Sequence, residues 1–324
     1  MPHAIRLHQT GGPEVLCWEA VEVPPPAPGE VTVRQYAVGL NYIDTYHRSG
    51  FYPITLPSGL GQEGAGVVEA VGAGVDSVKV GDRVAYANGP LGAYAELRNL
   101  PAACLLHLPT AIDFATAAAM SMQGLTAAYL LRRTYRVQPG DPVLIHAAAG
   151  GVGLIASQWA KALGATVIGT VGSEAKAAVA RAHGCDHVIN YSTENFAQRV
   201  RELTGGEGVA VVYDGVGKDT FAGSLDCLRH FGMLVSYGNA SGPVPPVDLL
   251  QLALKGSLYV TRPTLMTHLA RRDDLVALGA KLFDVVAAGK VRIEINQRYA
   301  LKDAAQAHRD LQARQTTGSS VLLP

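Results

Sequence analysis

The residues with the clearest chemical meaning form a glycine-rich segment between an apolar run and a helical stretch. The segment reads Ala148-Ala149-Gly150-Gly151-Val152-Gly153 and follows the apolar run 143–147. Glycine has no Cβ, so its backbone can approach a pyrophosphate, and the free N–H groups of a helix start stabilise that charge. The spacing A-x-G-x-x-G therefore predicts a dinucleotide-binding loop rather than a plain tight turn, with cofactor contacts at Gly150, Gly151, Val152 and Gly153.

The end of the next apolar run indicates which nucleotide fits. An Asp or Glu usually binds a free ribose 2′-hydroxyl at this point, whereas this sequence has Gly172 and Ser173. Ser173 as a helix cap, with Lys176 in the first helical turn, forms an anion site that suits a 2′-phosphate. Tyr191 is expected to flank the adenine or the phosphate. Two alternatives stay open: Lys176 lies on a solvated helix face, or Glu174 binds a 2′-hydroxyl. We predict NADPH rather than NADH.

The elements that position this loop are apolar runs alternating with helical stretches after residue 142. The runs are 143–147, 166–170, 188–190, 209–214, 233–237 and 258–260, and the helical stretches are 154–163, 174–182, 196–203, 221–228 and 249–254. Such alternation is typical of a doubly wound parallel sheet, which is an α/β fold of the Rossmann type. The loop lies at the first strand–helix junction of this pattern.

The regions on either side of this α/β pattern have a different sequence pattern. Up to about residue 121 the chain is broken often by Gly and Pro and has short alternating runs, which predict a mainly β domain. After residue 263 we predict a helix at 275–288, a strand at 291–295, a helix at 302–314 and an apolar tail at 321–323. A single tail strand cannot form a domain, so we expect it to return to the N-terminal domain, with the α/β unit as an insertion.

Composition excludes several classes of protein. The 27 Lys+Arg balance the 27 Asp+Glu, which makes nucleic acid an improbable main partner. Four cysteines without a CxxC pair argue against a disulfide scaffold or an all-cysteine zinc site. The most apolar long stretch, 111–131, is interrupted by Asp113 and Gln123, so it predicts buried helices rather than a membrane span. The first ten residues lack the apolar core of a secretory signal, so we expect a cytoplasmic protein.

Seven short motifs together resemble the medium-chain dehydrogenase/reductases over essentially the whole chain. They are Gly12-Pro-Glu-Val-Leu16, Gly39-Leu-Asn-Tyr-Ile-Asp44, Gly61-Gln-Glu-Gly-Ala-Gly66, Gly81-Asp-Arg-Val84, Gly92-Ala-Tyr-Ala-Glu96, Gly124-Leu-Thr126 and Ala147 to Gly153. Within that superfamily the chain resembles the zinc-free NADPH:quinone oxidoreductases related to zeta-crystallin. The resemblance implies a GroES-like catalytic domain, residues 1–122 and 264–324, around a Rossmann NADPH-binding domain, residues 123–263. It also implies a homodimer.

The resemblance predicts that no metal is bound. Zinc-dependent relatives hold a catalytic zinc with Cys, His and Cys, and the matching positions here carry Asn41, Gln62 and Met122. Amide oxygens and a thioether lack the thiolate or imidazole donors that zinc prefers. A metal-free site fits a quinone, because adding hydride to a quinone gives an aromatic hydroquinone anion and solvent can supply the proton.

The remaining task of the protein is to align a flat ring with the nicotinamide, which requires aromatic walls and a few hydrogen-bond donors. Asn41, Tyr46 and Tyr52 are the predicted substrate-facing residues, and Gln62 is a further candidate for the pocket. The resemblance places Asn41 beside the nicotinamide as well. For the tyrosines, ordinary packing is the alternative.

The other predicted cofactor contacts come from the resemblance and from the carboxyl ends of the strands, where ligands bind in such sheets. They are Gln123, Thr126, Tyr129, Val216, Tyr237, Gly238, Asn239, Val260 and Arg262. Arg262 either contacts a phosphate or is a structural arginine.

Two rival functions stay open. Reduction of α,β-unsaturated aldehydes or ketones uses the same hydride but needs a proton placed on carbon, which Tyr46 or Tyr52 could donate. The other rival is an NADPH-binding structural or RNA-binding protein with a local basic patch at Arg132, Arg133 and Arg136.

Overall fold

Short apolar or alternating runs form sixteen strands, and longer stretches with a helical period form ten α-helices in the computed structural model, which describes residues 1–324. The strands are β1 (His3–Leu7), β2 (Cys17–Ala20), β3 (Glu30–Leu40), β4 (Ser58–Gly59), β5 (Gly64–Val71), β6 (Arg83–Tyr86), β7 (Leu97–Pro101), β8 (Leu106–His107), β9 (Pro142–Ile145), β10 (Thr166–Val171), β11 (His187–Asn190), β12 (Val209–Asp214), β13 (Leu228–Ser236), β14 (Tyr259–Thr261), β15 (Ile295–Ala300) and β16 (Ser319–Leu323). The helices are α1 (Tyr42–Ser49), α2 (Phe114–Tyr129), α3 (Gly151–Ala162), α4 (Glu174–Ala182), α5 (Phe196–Leu203), α6 (Phe221–Asp226), α7 (Leu250–Leu254), α8 (Leu265–His268), α9 (Arg272–Ala287) and α10 (Ala304–Gln312).

The chain divides into two units. The first comprises Met1–Leu125, Leu269–Ala287 and Ile293–Pro324, and the second comprises Thr126–His268 and Ala288–Arg292. No helix in the chain is both long and apolar enough to cross a membrane.

The second unit contains a six-stranded sheet in the order β11-β10-β9-β12-β13-β14, and every pairing in it is parallel. Counted from β9, this is the strand order 3-2-1-4-5-6 of a Rossmann fold. The predicted strands are confirmed, with ends shifted by up to five residues, as at β13. Buried aliphatic side chains of the strands and of α6, such as Leu144, Ile168, Val212 and Leu225, form the core on one face.

The first unit contains a seven-stranded sheet, in which β15-β16-β3-β5-β6-β8 follow one another and β7 also pairs with β3, and a three-stranded sheet in the order β2-β1-β4. The apolar tail forms β16, which pairs antiparallel with β3 through Val321 and Gly39. The tail therefore returns to the N-terminal sheet, as predicted.

The strand predicted at 291–295 is wrong in position, since the observed strand is β15, Ile295–Ala300. The prediction followed the apolar residues Val291 and Ile293, but Val291 is buried in the segment Ala288–Arg292 of the second unit. Pairing with β16 selects the following alternating residues instead. Tertiary pairing thus overrides the local pattern.

Candidate active site

The glycine-rich loop connects β9 to α3, as the motif predicts. Gly150 is the N-cap residue of α3 and has no side-chain cap, so no side chain of this chain satisfies the first N–H groups of the helix. A Cβ on Gly153 would lie 2.3 Å from the carbonyl oxygen of Ala147 and 2.8 Å from the Cα of Ala148. Only glycine allows the loop to pack this closely on the first helical turn. The loop therefore offers backbone N–H groups of the kind that bind a pyrophosphate.

His146 directly follows β9 and precedes this loop. It is buried, its Nδ1 lies 2.8 Å from Thr170 Oγ1, and its Nε2 lies 2.9 Å from Ser224 Oγ. Burial lowers its pKa, so the ring is neutral. His146 is a core histidine with satisfied ring nitrogens.

A buried carboxylate fixes the turn after β12. Asp214 accepts hydrogen bonds from the N–H groups of Val216 at 2.8 Å and Gly217 at 3.0 Å, and from Thr220 Oγ1. The carbonyl of Val216 accepts from the backbone N–H and the hydroxyl of Ser241. Because both backbone polar groups of Val216 are engaged, its predicted cofactor contact has to come from its side chain.

The predicted anion site at the end of β10 has the expected local geometry. Ser173 caps α4, and its Oγ accepts the N–H of Lys176 at 3.4 Å. A Cβ on Gly172 would lie 2.6 Å from the hydroxyl oxygen of Tyr191, so these residues are adjacent. Glu174, the alternative partner of a 2′-hydroxyl, accepts a hydrogen bond from Asn190 Nδ2 at 3.1 Å. One oxygen of the Glu174 carboxylate is thus occupied by Asn190, and the neighbouring anion site consists of Lys176 and the N-terminus of α4.

The segment after β13 is held by Arg262. Its Nη1 donates to the carbonyl oxygens of Ser236 at 2.9 Å and Gly238 at 3.3 Å. Asn239, in the amide orientation that satisfies both its polar atoms, accepts from Arg262 Nη2 at 3.0 Å. Through these contacts Arg262 shapes the segment Tyr237-Gly238-Asn239. Val260 lies on the edge strand β14, 39% exposed.

Asn41 begins α1 in the first unit and carries a buried amide. It is the N-cap residue of α1, and its Nδ2 donates to Glu63 Oε2 at 2.6 Å. Gln123 Nε2 donates to Asn41 Oδ1 at 3.4 Å. The structure thus brings together two of the predicted residues, Asn41 and Gln123. Within the second unit, Thr126 is buried, and the ring of Tyr129 stacks on His268 with centroids 4.4 Å apart.

Glu63 is the residue of this site that sequence reasoning missed. It is fully buried, and burial raises its pKa to about 8. Its Oε1 accepts the N–H of Met122 at 2.6 Å. A Cβ on Gly39 would lie 2.1 Å from Glu63 Oε2, so the carboxyl group needs a glycine opposite. The sequence signal that could have identified Glu63 is a carboxylate among glycines and apolar residues, with no basic residue nearby in the sequence.

The helix α1 rests on a second buried group, also missed. Asp44 Oδ2 accepts from the N–H of Asn41 at 2.9 Å and from Tyr94 Oη at 2.9 Å, and Tyr94 Oη lies 3.1 Å from His308 Nε2. Burial raises the pKa of Asp44 to about 7 and lowers that of His308 to about 3. Arg48 Nη1 contacts the other nitrogen of His308 at 2.9 Å. These contacts fix α1 against α10.

Aromatic residues of α1 and of the segment that follows it form a cluster. The rings of Tyr46 and Tyr52 are 5.2 Å apart edge to face, and Phe51 stacks on Tyr52 at 5.3 Å. Tyr42 contacts Tyr46 at 5.6 Å. Tyr46 and Tyr52 are half-buried and Phe51 is 44% exposed, so the cluster presents ring surface that a flat ligand can contact.

The positions that match a zinc site contain no zinc-type donor set. Gln62 Nε2 donates to the carbonyl oxygen of Gly89 at 3.0 Å, while Asn41 and Met122 bond to Glu63. No three His, Cys, Asp or Glu side chains in the chain lie together in a way that could hold a metal ion.

Comparison with known proteins places the chain in a class. Residues 27–110 match the alcohol dehydrogenase GroES-like domain, and residues 151–274 match the family described as zinc-binding dehydrogenase. These are the two domains of medium-chain dehydrogenase/reductases, and the predicted α/β fold is confirmed.

Individual relatives are closely similar over their whole length. A Pseudomonas aeruginosa quinone oxidoreductase is 58% identical and covers 100% of both chains. The crystal structure of Escherichia coli quinone oxidoreductase complexed with NADPH is 51% identical, with a TM-score of 0.98, over 99% of this chain and 100% of that one. A Burkholderia 2-haloacrylate reductase is 48% identical over 100% of this chain and 99% of its own. The chain belongs to the quinone oxidoreductase family of the medium-chain dehydrogenase/reductases, as the sequence motifs predicted.

Proposed function

We propose that this protein is an NADPH-dependent quinone oxidoreductase that works without a metal. The single observation that carries the proposal is the uncapped glycine loop between β9 and α3, followed at the end of the next strand by Ser173 and Lys176 in place of an acidic residue. The first feature suits a pyrophosphate and the second suits a 2′-phosphate. Family membership supports the same activity.

The residues that would hold NADPH fit the cofactor by their local chemistry. The loop 150–153 would hold the pyrophosphate through backbone N–H groups, and Ser173, Lys176 and Tyr191 would hold the 2′-phosphate and adenine. The remaining proposed contacts are Asn41, Gln123, Thr126, Tyr129, Gly172, Val216, Tyr237, Gly238, Asn239, Val260 and Arg262. In this assignment residues 123–263 form the NADPH-binding domain, and residues 1–122 with 264–324 form the catalytic domain.

Bound NADPH supplies a hydride. The quinone that accepts it becomes an aromatic hydroquinone anion, so product stability favours the transfer and solvent supplies the proton. Asn41 donates an amide N–H to a quinone oxygen as negative charge develops there. Tyr46 and Tyr52 hold the flat ring by aromatic contact, which fixes its orientation for transfer. No Lewis acid is needed, and the site offers two amides and a thioether, Asn41, Gln62 and Met122, where zinc-dependent relatives have ligands.

A second candidate is the reduction of an activated carbon–carbon double bond. It is supported by the 48% identity to a protein described as a 2-haloacrylate reductase, a name that refers to an α,β-unsaturated acid. This reaction requires a proton on carbon, and the Tyr46 or Tyr52 hydroxyl is the donor that the site offers.

The two candidates are separated by following NADPH consumption with a panel of quinones and a panel of α,β-unsaturated aldehydes, ketones and 2-haloacrylate. Quinone reduction predicts that kcat/KM is highest for a quinone. A higher kcat/KM for an unsaturated carbonyl compound would overturn our proposal in favour of the second candidate.

We also propose that the protein is a homodimer and works in the cytoplasm. The edge strand β14 exposes Tyr259 by 56% and Val260 by 39%, and nearby in sequence Leu249, Leu250 and Leu254 are more than half exposed. Apolar surface at a free sheet edge suits pairing with a second copy. All four cysteines are free, which suits a reducing compartment. Sedimentation of the wild type and of Tyr259→Lys tests the dimer: a wild type that sediments as a monomer contradicts it.

A further inference from the structure

A chain of side-chain hydrogen bonds runs through the first unit from β16 to the start of β5. Ser319 Oγ lies 2.6 Å from Gln123 Oε1, Gln123 Nε2 lies 3.4 Å from Asn41 Oδ1, and Asn41 Nδ2 lies 2.6 Å from Glu63 Oε2. All four residues are nearly or fully buried. Because water has little access, the members must satisfy one another.

In this arrangement every donor points toward Glu63. The Ser319 hydroxyl donates to Gln123, the Gln123 amide donates to Asn41, and the Asn41 amide donates to the carboxylate. The other carboxylate oxygen accepts the N–H of Met122. The chain is therefore complete when Glu63 is ionised, since a carboxylate has only acceptors to offer.

The same positions support a second complete arrangement with every bond reversed. A protonated Glu63 donates its O–H to Asn41 once the Asn41 amide has turned by 180°, and Asn41 then donates to a turned Gln123. Gln123 donates in turn to Ser319 Oγ. Ser319 needs another acceptor for its hydroxyl, and the carbonyl oxygen of Ala119 lies 2.8 Å from its Oγ. Ser319 thus has a partner for its proton in either direction, and every bond from Ser319 to Glu63 is kept. The turned Asn41 amide gives up only its contact with the backbone N–H of Asp44, which also donates to the backbone carbonyl of Asn41 at 3.0 Å.

We propose that Glu63 is a positioning residue that sets the orientation of the Asn41 amide, and that gain or loss of its proton exchanges the places of the Asn41 N–H and carbonyl groups. The consequence for turnover rests on the proposed function, in which Asn41 faces the quinone. The exchange itself does not, because it is a property of the chain from Ser319 to Glu63.

Among the titratable groups around Glu63, one other carboxyl group, that of Asp44, titrates in a nearby pH range. Asp44 of α1 raises the pKa of Glu63 by like charge, while Tyr86 of β6 and Tyr94 have raised pKa values and stay neutral. The cations near these tyrosines are Arg98 of β7, beside Tyr86, and Arg48 of α1, near Tyr94. Burial makes the neutral acid the form of Glu63 at neutral pH, and the carboxylate forms as the pH rises through about 8.

Negative charge develops on the quinone oxygen during hydride transfer. An ionised Glu63, which is hydrogen-bonded to the Asn41 amide, carries like charge and therefore disfavours that transition state. We expect wild-type kcat to fall about tenfold as the pH rises through 8, the change that corresponds to one lost hydrogen bond. Glu63→Gln fixes the reversed arrangement, because its Oε1 accepts the N–H of Met122 and its Nε2 donates to Asn41. This variant is expected to keep the low-pH kcat at every pH in the range.

The test uses the cofactor-free protein first and turnover second. The infrared carbonyl band of a protonated buried carboxyl is followed against pH in wild type, in Glu63→Gln and in Asp44→Asn. Asp44→Asn is the matched control because the Asp44 side chain bonds the backbone N–H of Asn41 rather than the Asn41 amide group. We expect wild type to show two such bands, lost near pH 7 for Asp44 and near pH 8 for Glu63. Asp44→Asn lacks the first band and Glu63→Gln lacks the second, and in Asp44→Asn the Glu63 band is lost at a lower pH because the like charge is gone. Survival in Glu63→Gln of the band that is lost near pH 8, or a kcat profile of Glu63→Gln that follows the wild type, would overturn the proposal.

One measurement needs no variant at Glu63. In wild-type protein labelled with ¹⁵N at Asn and Gln side chains, the amide groups of Asn41 and Gln123 should shift together with one midpoint near pH 8. Independent or absent shifts would contradict the coupled reversal even if Glu63→Gln failed to fold. If the protein showed no quinone reduction, these spectra would still decide the proton exchange, so the two failures are distinguishable.

Discussion

Replacing Glu63 by glutamine should change how the stability of the protein depends on pH. In the unfolded chain this carboxyl loses its proton near pH 4.5, whereas in the native state burial holds the pKa at about 8. Native Glu63 therefore stabilises the fold fully below pH 4.5, and this contribution is lost progressively as the pH rises to about 8. At about 1.36 kcal/mol per pH unit, the loss amounts to roughly 4–5 kcal/mol.

Glutamine keeps the shape and the hydrogen bonds of the neutral acid but has no proton to lose. The free energy of unfolding of Glu63→Gln minus that of the wild type should therefore grow by roughly 4–5 kcal/mol from pH 4.5 to above pH 8. The assay is urea denaturation at half-unit pH steps, followed by circular dichroism. Taking the difference between the two proteins cancels the titrating groups that do not interact with Glu63.

The matched control is Glu69→Gln, since Glu69 lies on β5, the strand that follows Glu63, is exposed and forms an ion pair with Arg34. Its difference from the wild type should stay within about 0.5 kcal/mol. A Glu63→Gln difference that is as flat as the control would refute the claim that burial keeps this carboxyl neutral at pH 7.

Three further predictions concern the proposed cofactor and substrate contacts. Gly153→Ala should lower the free energy of unfolding because its Cβ meets backbone at 2.3 Å, whereas Gly150→Ala, with its nearest contact at 3.2 Å, should stay folded and lose NADPH binding, both measured by denaturation and fluorescence titration. Lys176→Ala should raise the KM for NADPH about tenfold and leave the KM for NADH unchanged in steady-state assays, because only NADPH carries the 2′-phosphate. Tyr46→Phe and Tyr52→Phe should keep quinone turnover, while replacement of either by Ala should raise the quinone KM up to about tenfold, since the rings rather than the hydroxyls hold the substrate.

Each of these predictions has its own contrary result. Unimpaired NADPH binding by Gly150→Ala would remove the loop from the cofactor site. For Lys176, the control is Lys161→Ala, an exposed lysine paired with Asp186, and equal effects of the two variants on NADPH would show that Lys176 acts only through net charge. Loss of turnover in Tyr46→Phe or Tyr52→Phe would identify a hydroxyl as proton donor and favour reduction of a carbon–carbon double bond.

Elements governed by local interactions were predictable from the sequence. The helices Glu174–Ala182 and Phe196–Leu203 and the strand Val209–Asp214 have the predicted bounds. Ser173 and Asn195 cap the two helices with their side chains. Such caps depend only on residues that are neighbours in the sequence, so they can be identified without the fold. The loop at Gly153 was predictable for the same reason, because its motif is contiguous.

The hydrogen-bond partners of the Asn41 side chain could not be predicted from one sequence. Its partners Glu63 and Gln123 lie 22 and 82 residues away along the chain, and Ser319 lies a further 196 residues beyond Gln123. The fold alone brings these side chains together, so no local spacing reports them. The displaced strand β15 has the same origin, since its register is set by β16 rather than by its own apolar residues.

The most direct test of the central claim is the absorbance of the reduced nicotinamide, followed with NADPH and with NADH in separate samples, in the presence of a quinone and a chelator. We expect that NADPH is oxidised with one quinone reduced per molecule, that NADH is used less efficiently and that the chelator has no effect. Loss of activity with removal of a stoichiometric metal, or failure of the protein to oxidise NADPH with any quinone, would contradict it.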